Sequence, residues 1–405
     1  MLYADRIHHQ IQVLGNLPEP TTDAIVRSEE LFQQLKKQLV KQPMAFHEVM
    51  EQLLLAPGLG YYSAGAQKIG AAGDFVTAPE ISSFFGYALA QQCAQILKVT
   101  AGSILEFGAG LGTLARDILL QLEADNCLPE NYFIVEISVD LRQRQQNKLR
   151  QEIPHLYPRI SWLECPPEKG FNGIILANEV IDAMPVHLFE MTPSGATEMQ
   201  VAITEEGDLC LQHAKSMSPK LKQWFARAEI QKIPLANGYT SEVNLAMESW
   251  IEARAKCLHQ GLILIIDYGY PRHEYYRPER TQGTLLCYYQ HHSHDRLLFL
   301  PGLQDITAHV DFTAIAESAK TSGLSVAGYT NQANFLIGCG ILQMAELAAE
   351  EDIKKQIEIS QQIKTLIMPE SMGERFKVIA LTRELPEELC AQLSGFSFSD
   401  QRQKL

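Results

Sequence analysis

Residues 103–113 read Ser103-Ile104-Leu105-Glu106-Phe107-Gly108-Ala109-Gly110-Leu111-Gly112-Thr113. A short apolar run enters glycines at alternate positions, and a stretch with Leu114, Ile118, Leu119 and Leu122 on one helical face follows. The spacing predicts a strand, a tight turn and a helix. Glycines at such a turn let the backbone take positive φ and let a ligand approach closely. Counted from Gly108, Thr113 stands where a dinucleotide fingerprint places its third glycine. Glu106, just before the turn, can receive an ammonium group, whereas beside a pyrophosphate it repels. The order E-x-G-x-G-x-G therefore suits the methionine moiety of S-adenosylmethionine better than NAD. Glu106, Gly108, Gly110 and Gly112 are the first donor-binding candidates.

Outward from this turn, further apolar runs occur at Tyr132–Val135, Ile160–Leu163, Ile174–Ala177 and Leu262–Ile266, with two late strands expected at Leu324–Tyr329 and Phe376–Leu381. Near-continuous Ile, Leu and Val runs alternating with helices predict a parallel sheet buried on both faces. The second run ends at Glu136, a carboxylate placed to accept from both ribose hydroxyls of a nucleoside; NAD enzymes use the same device. The fourth run leads into Ala177-Asn178-Glu179-Val180-Ile181-Asp182, beyond the carboxyl end of a strand, where ligands of open α/β sheets lie. Asn178, Glu179 and Asp182 are thus expected to border the transferable methyl group. Paired carboxylates suit a cationic acceptor, and a guanidinium can be held bidentately. Glu179 and Asp182 are the acceptor-positioning candidates. The alternative is that Asp182 caps a following helix.

The connection between the fourth and fifth strands is too long for one crossover. His187–Met191, Glu198–Thr204 and Leu209–Gln212, with turns at Pro193-Ser194-Gly195 and Glu205-Glu206-Gly207-Asp208, predict a small antiparallel meander. The N-terminal part predicts helices, one capped at Thr21–Asp23 with Leu31, Leu35 and Leu39, another carrying Phe46, Val49, Met50, Leu53 and Leu54. The expected organisation is an N-terminal helical region and lid over 1–100, a first core part over 101–186, an insertion over 187–245, a second core part over 246–385, and a tail over 386–405.

Composition bounds the functions. The 405 residues are 46% hydrophobic and 20% charged, enough for a substantial core. With 34 Lys and Arg against 48 Asp and Glu, the net charge is −14, which disfavours a nucleic-acid partner and suits a basic one. The start, Met1-Leu2-Tyr3-Ala4-Asp5-Arg6, does not read as a signal peptide, and no apolar stretch reads as a membrane span. The eight cysteines are scattered without C-x-x-C, so they are expected to be reduced thiols of a cytoplasmic protein. Gln290-His291-His292-Ser293-His294-Asp295 invites a metal reading, but neighbouring histidines rarely aim at one ion; a loop is expected there and no metal is assigned. Tyr268, Tyr270, Tyr288 and Tyr289 suit either core packing or a wall beside a cation. The helical layer and the insertion offer surfaces for a homodimer.

Several segments recur in one order: Gly60-Tyr61-Tyr62, Gly73-Asp74-Phe75-Val76-Thr77-Ala78-Pro79-Glu80-Ile81-Ser82, the Glu106–Leu114 turn, Val135-Glu136-Ile137-Ser138, Ala177–His187, Ile266-Asp267-Tyr268-Gly269, Asp305–Phe312 and Met372–Phe376. Together they closely resemble the MidA family over roughly Met44 to Leu381. That family includes bacterial proteins and a mitochondrial complex I assembly-factor arginine methyltransferase. The resemblance implies a class I methyltransferase fold, an α/β architecture with a Rossmann-like seven-stranded sheet, here with an N-terminal helical layer and an antiparallel β insertion after strand four. It also implies S-adenosylmethionine as donor, S-adenosylhomocysteine as product, and a protein substrate with an accessible arginine. On the same ground the Gly73–Ser82 stretch, by itself a loop and helix cap, becomes a lid over the donor, which adds Asp74 and Thr77 as candidates. A non-catalytic donor-binding assembly factor, a small-molecule methyltransferase and, more distantly, an NAD-dependent oxidoreductase stay open on sequence alone.

Overall fold

Helices form near the start of the sequence where aliphatic and aromatic residues recur every three to four residues: α1 (Tyr3–Val13), α2 (Thr22–Leu39) and α3 (Phe46–Leu55). The Thr21 hydroxyl accepts from the Ala24 N–H at 3.3 Å, the expected cap of α2. The first helix is additional to the two expected; only Tyr3, Ile7 and Ile11 of its eleven residues are buried. The computed structural model describes residues 2–15, 17–64, 77–348 and 353–405. They divide into two units, the first formed by 1–75, 182–247 and 273–309 and the second by 76–181, 248–272 and 310–405.

In the first unit, the expected meander forms as His187–Thr192, Gly195–Ile203 and Leu209–His213. It is flanked by Met44–Ala45 on one side and Thr240–Val243 on the other, all antiparallel. Leu31, Leu35, Phe46, Val49 and Met50 pack with Leu188 and Val201 of this sheet, and with Val186 just before it, in one core. The stretch expected to be a histidine loop is instead the turn and second strand of a hairpin, Leu286–Tyr289 against His292–His294. Gln290 and His291 take φ of 45° and 65° as its two turn residues. The turn carries neither glycine nor asparagine, so the usual signal for it is missing.

In the second unit, β1 (Ser103–Phe107), β2 (Tyr132–Val135), β3 (Ile160–Leu163), β4 (Phe171–Asn178), β5 (Leu258–Tyr270), β6 (Ser325–Asn331) and β7 (Phe376–Arg383) form one sheet. Their spatial order is β6-β7-β5-β4-β1-β2-β3. The first five strands pair in parallel, and β7 runs antiparallel between β5 and β6. A two-residue strand, Val310–Asp311, adds to the end of β5. This is the class I methyltransferase order with its seven strands, and the chain reverses direction across the sheet between β1 and β4. Helices α4 (Ala78–Ile81), α5 (Ser83–Thr100), α6 (Thr113–Ala124) and α7 (Val139–Glu152) belong here. Although α5 falls within the expected N-terminal region, its Phe85, Leu89, Cys93 and Ile96 share a core with Leu114 and Ile118 of α6 and with Ile174 and Leu264 of the sheet. Residues 273–309, expected within the second core part, group with the first unit instead. Among the described residues, no helix is long and apolar enough to cross a membrane.

Candidate active site

The turn after β1 has the expected backbone. Gly108, Gly110 and Gly112 take φ of 62°, 53° and 79°, the left-handed region where a side chain is penalised. The Gly112 N–H closes the turn on the Ala109 carbonyl at 2.7 Å, and α6 begins at the next residue. A Cβ on Gly108 would lie 3.4 Å from Val180 Cγ2, and one on Gly112 would lie 3.3 Å from Leu149 Cδ1. The loop thus passes close to the segment after β4 and to helix α7, and its positive φ angles are what penalise a side chain at these points. Backbone N–H groups at a helix start favour a negatively charged or electron-rich ligand.

Two carboxylates flank the loop. Glu106 is buried in β1, and its Oε2 accepts from the Tyr132 hydroxyl at 2.8 Å. Burial pushes its carboxyl up to about 7; the Tyr132 bond opposes this and the nearby Glu136 adds to it. Glu136, at the end of β2, accepts from the Ser138 N–H at 2.9 Å and from Gln145 Nε2 at 3.0 Å. Burial raises its carboxyl as well.

Gln145 was not among the sequence candidates. Its Nε2 also donates to the Gly110 carbonyl at 2.9 Å, and its Oε1 accepts from Trp162 Nε1 at 2.8 Å. One fully buried amide on α7 therefore fixes both the glycine turn and the Glu136 carboxylate. Its sequence signal was a glutamine four residues before Leu149, on the only face that α7 buries. Gln145→Ala should weaken donor binding by roughly tenfold or more, the loss of a buried amide network. Calorimetry checks this, with circular dichroism confirming an intact fold.

The state of Glu106 gives a pH prediction. An ammonium settling beside it favours the carboxylate, lowers its pKa and expels a proton. Donor affinity should therefore rise between pH 6 and pH 8, as calorimetry across that range would show. Proton release at pH 7, read in buffers of different ionisation heat, should vanish in Glu106→Gln. Stability follows the sign of the same shift. A carboxyl raised from 4.5 to about 7 in the folded protein contributes stability that is fully present below pH 4.5 and lost as pH rises through 7. Glu106→Gln should then melt about 2–4 °C above the wild type at pH 8 and show no gain at pH 4. Equal melting at pH 8 would mean that Glu106 carries no such strain.

At the end of β4, Glu179 takes φ 54°, unusual for a residue with a side chain. Its N–H donates to the Ile266 carbonyl of β5 at 2.9 Å, and its Oε1 accepts from Asn178 Nδ2 at 3.1 Å. The fully buried Asp267 holds the continuation, accepting from the Ile181 N–H and from the Tyr268 N–H, each at 2.9 Å. Asn178 Oδ1 is buried and accepts no hydrogen bond from the described residues. An acceptor left in that state is costly, and an ammonium or hydroxyl of a bound donor would satisfy it.

Glu106, Gly108, Gly110, Gly112, Glu136, Asn178 and Glu179 all lie in the second unit, at the carboxyl edge of β1, β2 and β4, where the strand order reverses. These residues fit S-adenosylmethionine: a glycine cradle, carboxylates for ammonium and ribose, and an orphaned buried acceptor. Asp182 belongs to the first unit. It is buried, its carbonyl accepts from the Ala308 N–H at 3.0 Å, and a turn rather than a helix follows it, so the helix-cap alternative is withdrawn. Thr77 stands at the cap position of α4 but makes no capping hydrogen bond with its side chain. Asp74 lies outside the described residues. Tyr268 packs on Phe376 with centroids 4.0 Å apart, and the Tyr289 hydroxyl donates to the Pro18 carbonyl at 3.0 Å, so both have structural employment.

Comparison with known proteins gives concordant results. Residues 88–330 match the family described as "Putative S-adenosyl-L-methionine-dependent methyltransferase". The mitochondrial protein arginine methyltransferase NDUFAF7 of Danio rerio is 31% identical over 370 residues, covering 84% of this chain and 83% of the relative. Its Homo sapiens counterpart is 30% identical over 374 residues, covering 84% and 80%. A crystal structure of a Burkholderia thailandensis protein bound to S-adenosyl-homocysteine superposes with a TM-score of 0.90 at 37% identity, covering 96% of this chain and 100% of that one.

Proposed function

The chain belongs to the family of S-adenosyl-L-methionine-dependent methyltransferases, and on that premise we propose that its acceptor is an arginine side chain of a protein. The observation that carries the reading is Glu179, a carboxylate fixed beyond the end of the central strand β4 by its own N–H and by Asn178. Bound S-adenosylmethionine supplies an electrophilic methyl group on a sulfonium. A guanidinium, charged at any physiological pH, needs an anion to desolvate and align it for in-line attack. Glu179 serves that purpose in this reading. Asn178 and Glu106 orient the methionine end, and Glu136, braced by Gln145, takes the ribose. The names of the curated relatives support arginine as the acceptor, and the motif resemblance directs the search first to subunits of a complex I-type assembly.

The test is methyl transfer from labelled S-adenosylmethionine into the proteins of a lysate from cells lacking this gene, followed by acid hydrolysis. Symmetric dimethylarginine in a labelled band supports the proposal and leads to the substrate by mass spectrometry. Tight donor binding with label only in small molecules, or with no label at all, refutes it.

A further inference from the structure

A second group of ligating side chains sits in the first unit and has no part in the donor site. His47 lies in the first turn of α3, His187 opens the His187–Thr192 strand, and Glu198 lies on the neighbouring Gly195–Ile203 strand. His187 Nδ1 and Glu198 Oε1 are 2.8 Å apart, and both residues are buried. The His47 ring stacks on His187 with centroids 3.8 Å apart and planes at 28°. One ligating atom from each of the three residues lies within 4.8 Å of the other two.

We propose that His47, His187 and Glu198 bind a divalent transition-metal ion of the zinc type, which pins α3 to the sheet of the first unit. Two imidazole nitrogens and one carboxylate oxygen form a set that zinc accepts, with water completing a tetrahedron. Glu198 is already positioned from behind, since Ser218 donates to it through both its N–H and its hydroxyl. Such outer bonds orient metal ligands. His47 Nδ1 is buried and has no hydrogen-bond partner among the described residues, which leaves a lone pair without use. The half-buried His47 side chain gives an ion a path from solvent.

An ion must lie near the plane of each ring it binds, and the present stack does not allow that for both. His187 is tied to Glu198, and among the described residues no hydrogen bond holds the His47 ring, so His47 is the residue that turns. Ligand atoms of tetrahedral zinc stand roughly 3.3 Å apart, given bonds of about 2.0–2.1 Å. A side-chain rotation of His47 covers the difference without moving the strands.

The test uses the full chain, stripped of metal with a chelator and then titrated with zinc. One equivalent should bind, and the melting temperature should rise. Cobalt in its place should give the intense visible bands of a four-coordinate nitrogen and oxygen site. His47→Phe fills the ring's space and leaves the His187–Glu198 bond intact; it should lose zinc affinity at least about tenfold and lose the thermal shift. No zinc uptake by the wild type at micromolar concentration, equal uptake by His47→Phe, or a cobalt spectrum with thiolate charge-transfer bands would each overturn the proposal, the last by assigning the ion to cysteines.

Discussion

Gly110→Val is expected to leave a folded protein with no S-adenosylmethionine binding measurable by calorimetry, a loss of roughly a thousandfold or about 4 kcal/mol. Two effects add. The residue stands at φ 53°, where a β-branched side chain is strongly disfavoured. Relaxing that strain shifts the turn away from the geometry that brings its backbone to the ligand. The Gly110 carbonyl is also the point at which Gln145 grips the loop, so a shift there reaches Glu136 through the same amide. Gly110→Ala should lose less, about tenfold, because one methyl group adds strain but little bulk. Unchanged affinity in Gly110→Val would remove the glycine turn from the donor site.

Glu179→Gln should behave in the opposite way, with donor affinity within about twofold of wild type and methyl transfer slowed roughly 10²–10³-fold. The amide keeps the shape of the carboxylate and can still meet Asn178, so the loop after β4 should hold its backbone. What it loses is charge, at the point where a cationic acceptor must be desolvated and aligned. Single-turnover measurement on the labelled acceptor separates the two quantities. Normal transfer would mean that the acceptor is aligned elsewhere, and a parallel loss of donor affinity would mean that Glu179 serves the donor instead.

Much of this architecture was legible because buried parallel strands carry their own signature. Ile174–Ala177 and Leu262–Ile266 read as strands since both faces of each are covered. The candidate site residues were legible for a related reason: they sit immediately after strands, so locating a strand end locates Glu136, the ribose candidate, or Glu179, the acceptor candidate. What sequence reading missed depends on contacts between distant segments. Gln145 reads as one more polar residue of a polar helix until Trp162 and Gly110 are placed around it. Asp267 holds the acidic loop across 86 residues of sequence, a separation at which no local pattern survives. The Gln290-His291 turn lacked turn residues, and the Met44–Ala45 strand is too short to show alternation. His47 reads as a helix residue, and only pairing of the meander strands brings His187 and Glu198 beside it.

The place of β7 carries a consequence for synthesis. It is the last of the seven strands in the sequence, yet it lies between β5 and β6 and is the antiparallel neighbour of each. A ribosome adding about 5–20 residues per second releases β5 and β6 well before the strand that joins them. Until then, Leu262–Ile266 offers an open apolar edge to any other extended chain. Chaperone dependence and inclusion-body formation in vivo should therefore respond most sharply to changes within Phe376–Arg383, even though that strand holds none of the donor-site residues.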